Sequence, residues 1–159
     1  MTMIPAPKEL RDLLEGLLGR SVDVHDGKPL VTADLALSVR AVYVDATHKL
    51  SAVVGMDLPL AANIGAAIGL VPAGGAQACV EDKELSPMLA ENVSEVCNVL
   101  TTVLNREGNP HFRLEKVFLP GEVAPNDAVG QLLALGCRVD LNIKVAGYGT
   151  GRFSLSLVV

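Results

Sequence analysis

The chain has 159 residues, 50 % of them apolar but only 3 % aromatic, and a net charge of −5. That length suits one domain, residues 1–159, with a core built from Val, Leu, Ala and Ile. The negative charge and the lack of a basic cluster argue against nucleic acid, which needs cations to displace its counterions, and no apolar run reaches the ~20 residues that span a bilayer. The first residues, M-T-M-I-P-A-P-K-E, show neither the basic nor the apolar region of a secretory leader, so a cytoplasmic protein is expected. Cys79, Cys97 and Cys137 form an odd set without a C-x-x-C pair, a pattern that points to neither a disulfide framework nor a zinc site.

In chain order, residues 5–18 predict an amphipathic helix with Leu10, Leu13, Leu14, Leu17 and Leu18 on its apolar side and Gly19 at its end. A short strand over 21–25 closes at the turn signal Asp26-Gly27; Asp23, His25 and Asp26 read as a solvated turn, since a metal site needs ligands from elsewhere too. Residues 30–45 alternate as a strand, and the Asp45-Ala-Thr-His48 turn leads into a second strand over 49–56. Asp57 then reads as the N-cap of a helix to about Leu70, with Pro59 in its first turn. Ala and Gly dominate that helix and suit close packing, while Asn63 within it, like His48, has no evident partner. Val71-Pro-Ala-Gly-Gly-Ala-Gln77 reads as a loop without the Gly-Lys-Ser/Thr and the opening helix of a phosphate loop.

The most informative stretch is Ser86 to Asn105. Ser86 can accept from an orphan N–H, and Pro87 sits where a helix has no use for its missing donor. Leu89, Val93, Val96, Leu100, Val103 and Leu104 form the buried stripe, and Glu91, Glu95, Asn98, Thr102 and Asn105 fall on the opposite side. Two like-charged carboxylates one turn apart weakly destabilise an isolated helix, and no cation follows until Arg106. Spacing alone leaves an ordinary acidic, solvated face open. Cys97 lies beside Asn98 but toward the buried flank, as a small hydrophobe would.

Beyond Gly108-Asn-Pro110, residues 112–119 predict a strand, 126–135 a short helix, and 137–146 and 152–159 two strands joined by the hairpin loop Gly147-Tyr-Gly-Thr-Gly151. The stretch Ser154 to Val159 of the last strand carries no charge to protect an open edge, so a homodimer formed by strand addition is expected. Helix then strands, a connecting helix, then helix then strands again predicts an α+β domain whose mostly antiparallel sheet carries its helices on one face.

Glu91-x-x-x-Glu95-x-x-Asn98 resembles the acid-x-x-x-Glu-x-x-Asn signature of the CheC/CheX/FliY family, which dephosphorylates the chemotaxis response regulator CheY. Lys49 to Asp57 is similar to the family's strand that runs into a helix. The resemblance implies a tandem helix-plus-three-strand repeat sharing one sheet. It also implies a single site, as in CheX, because the first helix has Glu9 and Glu15 but no Asn. It assigns Asn98 to orienting the attacking water, Glu95 to pairing with a lysine of the receiver, and Glu91 to the edge of the contact. Thr102, at the contact, stands where family helices often carry Gly. The chain then needs no cofactor of its own, and the Mg²⁺ belongs to the phosphorylated CheY-type partner. Three readings stand: an aspartyl-phosphate phosphatase of CheX type, a catalytically silent module of the same fold that binds a receiver or itself, and a ligand-binding domain with a pocket along helix 58–70 and the loop after it.

Overall fold

A computed structural model describes residues 3–158; Met1, Thr2 and Val159, which belong to the leader reading and to the last predicted strand, lie outside them. The elements are α1 (Pro7–Leu18), β1 (Val22–Asp26), α2 (Thr32–Leu35), β2 (Val39–Val44), β3 (Leu50–Met56), α3 (Leu58–Ile68), α4 (Ala73–Asp82), α5 (Pro87–Val99), α6 (Thr101–Leu104), β4 (Arg113–Phe118), α7 (Asn126–Leu133), β5 (Arg138–Val145) and β6 (Gly149–Leu157). The six strands form one sheet in the order β1-β5-β6-β3-β2-β4, and every neighbouring pair is antiparallel.

Exchanging β1 with β4, β2 with β5 and β3 with β6 turns that order into the same order read from the other edge. The chain is therefore two repeats, each a helix and three strands with a short helix between its first two strands. In this exchange α1 corresponds to α5, and α2 to α7.

Strand alternation gives the sheet two different faces. Ala41, Tyr43, Val54, Met56, Ile143, Phe153 and Leu155 point to one side, where Leu10 and Leu14 of α1, Leu60 and Ile64 of α3, and Val93 and Val96 of α5 complete the main core. The long helices lie on this face. Val42, Val53 and Phe118 point to the other, under Leu35 of α2 and Ala128 and Leu132 of α7. Part of that second face is polar but buried: Ser154 donates to Asp140 at 2.7 Å, and Gln131 of α7 donates to Ser156 at 2.9 Å.

Three expectations are corrected. Residues 30–45 are not one strand: Asp34 folds back to accept from the Val31 N–H at 2.9 Å and to meet Arg152 at 2.8 Å, so a helical turn precedes β2. Residues 71–77 are not all loop, because α4 opens at Ala73 and buries Ala76 and Cys79 against Ala62 and Ala66. The missing Gly-Lys-Ser/Thr, not the lack of a helix, is then what separates this segment from a phosphate loop. Finally, the last strand is no edge. β6 is paired on both sides, by β5 and β3, and the edges are β1 and β4, so the strand addition on which the homodimer expectation rested has no place there.

Candidate functional site

The caps of α3 and α5 form as local chemistry dictates: Asp57 accepts from the Leu60 N–H at 3.0 Å, and Ser86 from the Leu89 N–H at 3.4 Å. α5 is then seated against α3 by two features. A Cβ on Gly65 would come within 2.8 Å of the Leu89 carbonyl, so the helices approach at a distance only glycine permits. Asn92 crosses the same seam and donates to the Gly65 carbonyl at 3.0 Å.

Leu89, Val93, Val96 and Cys97 are buried, and Glu91, Glu95, Asn98 and Thr102 are exposed, as the periodicity predicts. The polar residues of the helix divide sharply. Those on the flanks are committed: Asn92 to Gly65, Ser94 to the Ala90 carbonyl at 2.8 Å, Thr101 to the Asn98 carbonyl at 2.7 Å. On the front, among the described residues, the side chains of Glu91, Glu95, Asn98 and Thr102 make no hydrogen bond or ion pair within the chain. Asn105, predicted on this face, instead closes the connection to β4 by exchanging hydrogen bonds with the backbone of Phe112 at 3.0 and 2.6 Å.

Where the front face reaches Asn98, the helix is interrupted. Tyr43, wholly buried on β2, donates its hydroxyl to the Cys97 carbonyl at 2.5 Å, and Thr101 takes the next carbonyl, that of Asn98. α5 ends at Val99 and α6 restarts at Thr101. Asn98 thus stands in the last turn of α5, with Thr102 one turn on, past the interruption. Tyr43 reads from sequence only as a core residue of a strand.

The corresponding helix of the first repeat offers no such face. The Glu9 carboxylate accepts from the Ala6 N–H and is held below its ordinary pKa by that bond and by its ion pair with Arg106, while Glu15 accepts from the Val22 N–H at 3.0 Å. Arg106, the first cation after the acidic face, is therefore turned away to α1.

Burial pushes the Cys97 thiol up to about 12, which leaves no thiolate at neutral pH. Among the described residues no three His, Cys, Asp or Glu side chains gather as a metal site would require, and no helix is long and apolar enough to cross a membrane. A cleft of about 220 Å³ does lie along α3 and α4, lined by Asn63, Gln77, Tyr148 and Thr150 among others. The segment that reads as a loop after helix 58–70 thus contributes one wall of it, as part of a helix.

Comparison with solved structures identifies the architecture. The middle domain of FliM from H. pylori superposes with a TM-score of 0.62 over 95 % of this chain and 84 % of that one, at 7 % sequence identity. The FliM middle domain from Vibrio alginolyticus gives 0.60 over 95 % and 88 %, at 9 % identity. FliY from Thermotoga maritima gives 0.54 over 100 % and 93 %, at 13 % identity. The fold is that of FliM middle domains and FliY. The sequence itself matches no protein-family model and no curated protein.

Proposed function

We propose that this chain is a CheX-like module of the CheC/CheX/FliY kind that docks a phosphorylated receiver domain on the front of α5 and hydrolyses its aspartyl phosphate. The observation that carries the reading is the division of α5 and α6: their flank polar side chains are spent on the fold, whereas Glu91, Glu95 and Asn98 of α5 and Thr102 of α6 are exposed and uncommitted. An aspartyl phosphate is an acyl phosphate, and its hydrolysis needs little more than a water held in line with phosphorus. The Asn98 amide can hold that water without titrating, since it offers a donor and an acceptor at every pH. Water oxygen bonds to phosphorus, the bond from phosphorus to the acyl oxygen breaks, and phosphate and the receiver's carboxylate leave. Glu95, one turn earlier, pairs with a lysine beside the receiver's phosphorylation site and fixes the register. Glu91 and Thr102 bound the contact, and Mg²⁺ is the receiver's.

The experiment follows the decay of a phosphorylated CheY-type receiver with wild-type protein, with Asn98→Ala and with Glu95→Lys. Accelerated decay that Asn98→Ala abolishes while binding persists, and that Glu95→Lys abolishes together with binding, is the expected result. Equal rates for wild type and Asn98→Ala would refute the catalytic assignment. The likeness to FliM middle domains favours a second reading, a silent docking module. A FliM from H. pylori is seen in complex with FliG and, in another structure, with SpeE. Receiver binding without any change in decay rate would select that reading.

A further inference from the structure

We propose that the cleft between α3, α4 and the β5–β6 turn binds an uncharged amide, the backbone of a short extended peptide segment. α3 reads L-P-L-A-A-N-I-G-A-A-I, and Asn63 is its one polar side chain. Asn63 is only 7 % exposed, yet its amide makes no hydrogen bond within the described residues; it faces the cleft beside Gly149, whose Cβ, if it had one, would lie 3.7 Å from Asn63 Nδ2. That amide is not sealed off, since Arg20 Nε is the one side-chain atom found both fully buried and unpaired among the described residues, so Asn63 presents its donors and acceptor to the cleft. Within the described residues the chain itself leaves those groups unused.

The rest of the cleft says what kind of group. Gln77 on α4 and Thr150 on β6 line it, and both side chains are exposed and uncommitted among the described residues. No charged side chain lines it, so nothing there favours a phosphate or a carboxylate. Two amides and a hydroxyl around an apolar floor instead match the adjacent carbonyl and N–H of a peptide bond. The wall is preorganised: Tyr148 donates to the Val71 carbonyl at 2.5 Å, and the Arg20 guanidinium lies 4.8 Å above its ring. At about 220 Å³ the space is below the ~300–1,000 Å³ of sites for drug-sized ligands, which suits a short stretch of chain and not a cofactor.

The probe is a blocked, uncharged dipeptide, N-acetyl-glycyl-glycine N-methylamide, titrated into ¹⁵N-labelled full-length protein and followed by the side-chain NH₂ signals of Asn63 and Gln77. Saturable shifts at those signals and at Thr150 are expected, with affinity reduced roughly fivefold in Asn63→Ala and in Gln77→Ala, the loss of one net hydrogen bond. Shifts that do not saturate, equal affinity in Gln77→Ala, or the same response to acetate would each overturn the proposal. Gln77 is exposed, so its variant keeps the test decisive if Asn63→Ala fails to fold.

Discussion

Tyr43→Phe removes one oxygen from the core and tests how the end of α5 is held. The hydroxyl is wholly buried and its bond to the Cys97 carbonyl is 2.5 Å long. Losing a hydrogen bond costs about 0.5–1.5 kcal/mol net, and a stranded buried acceptor brings the total to about 1–3 kcal/mol. The upper figure holds if the Cys97 carbonyl stays unpaired, the lower if the helix straightens so that the Thr101 N–H takes it. At about 2–4 °C per kcal/mol for a chain of this size, a midpoint loss of about 2 kcal/mol lowers the melting temperature by about 4–8 °C. Straightening would also rotate Thr102, at the edge of the proposed contact, relative to Asn98, so under the proposed function docking of the receiver should weaken together with its dephosphorylation.

A second arm reads the same oxygen through pH. Burial, and secondarily the neighbouring Cys97, raise the Tyr43 phenol well above its ordinary 10.0. Because the folded value lies above the unfolded one, this contribution is fully present below about pH 10 and is lost as pH climbs toward the folded value. Wild type should therefore lose more stability than Tyr43→Phe between about pH 9 and 11. Calorimetric melts across that range, with receiver decay measured alongside, decide the matter. A Phe variant that melts with wild type at neutral pH and shares its alkaline slope would refute the reasoning.

Two further substitutions probe the frame that carries the site. Burial alone would raise the Asp140 carboxyl, but the hydrogen bonds from Arg138 and Ser154, with the charge of Arg138, outweigh it and hold it below its ordinary value. Its stabilisation is thus present above about pH 4 and lost as pH falls. Asp140→Asn leaves Arg138, 10 % exposed at its side chain, without its carboxylate and should cost about 3 kcal/mol at pH 7, shrinking toward pH 3 in urea titrations. Gly151→Ala would place a Cβ 2.4 Å from Leu60 Cβ and 2.5 Å from Leu60 N, prising α3 from β6, and should cost at least about 1–3 kcal/mol in chemical denaturation; a neutral result would show that α3 is not seated there.

Much of the candidate site's helix was legible because its causes are local. The Ser86-Pro87 start, the apolar stripe of α5 and the opposed acidic face all follow from spacings of four residues or fewer, and they appear as read. So did the Asp57 cap. What escaped depends on distant partners. The turn at 32–35 is tied to Arg152 through Asp34. α4 carries two glycines that argue for loop, yet the small residues of α3 make room for Ala76 and Cys79 against it, and packing overrides propensity.

The sequence by itself determined two helix-plus-strand halves and the polarity of α5, since hydrophobic period and capping act along the chain. Only the tertiary structure decided that β6 lies inside the sheet, that Arg106 turns to Glu9, that Tyr43 interrupts the helix beside Asn98, and that Asn63 opens on a cleft. Each of these joins residues tens of positions apart. Strand order and side-chain pairing across such separations are set by which surfaces meet in the folded core, which no local pattern encodes.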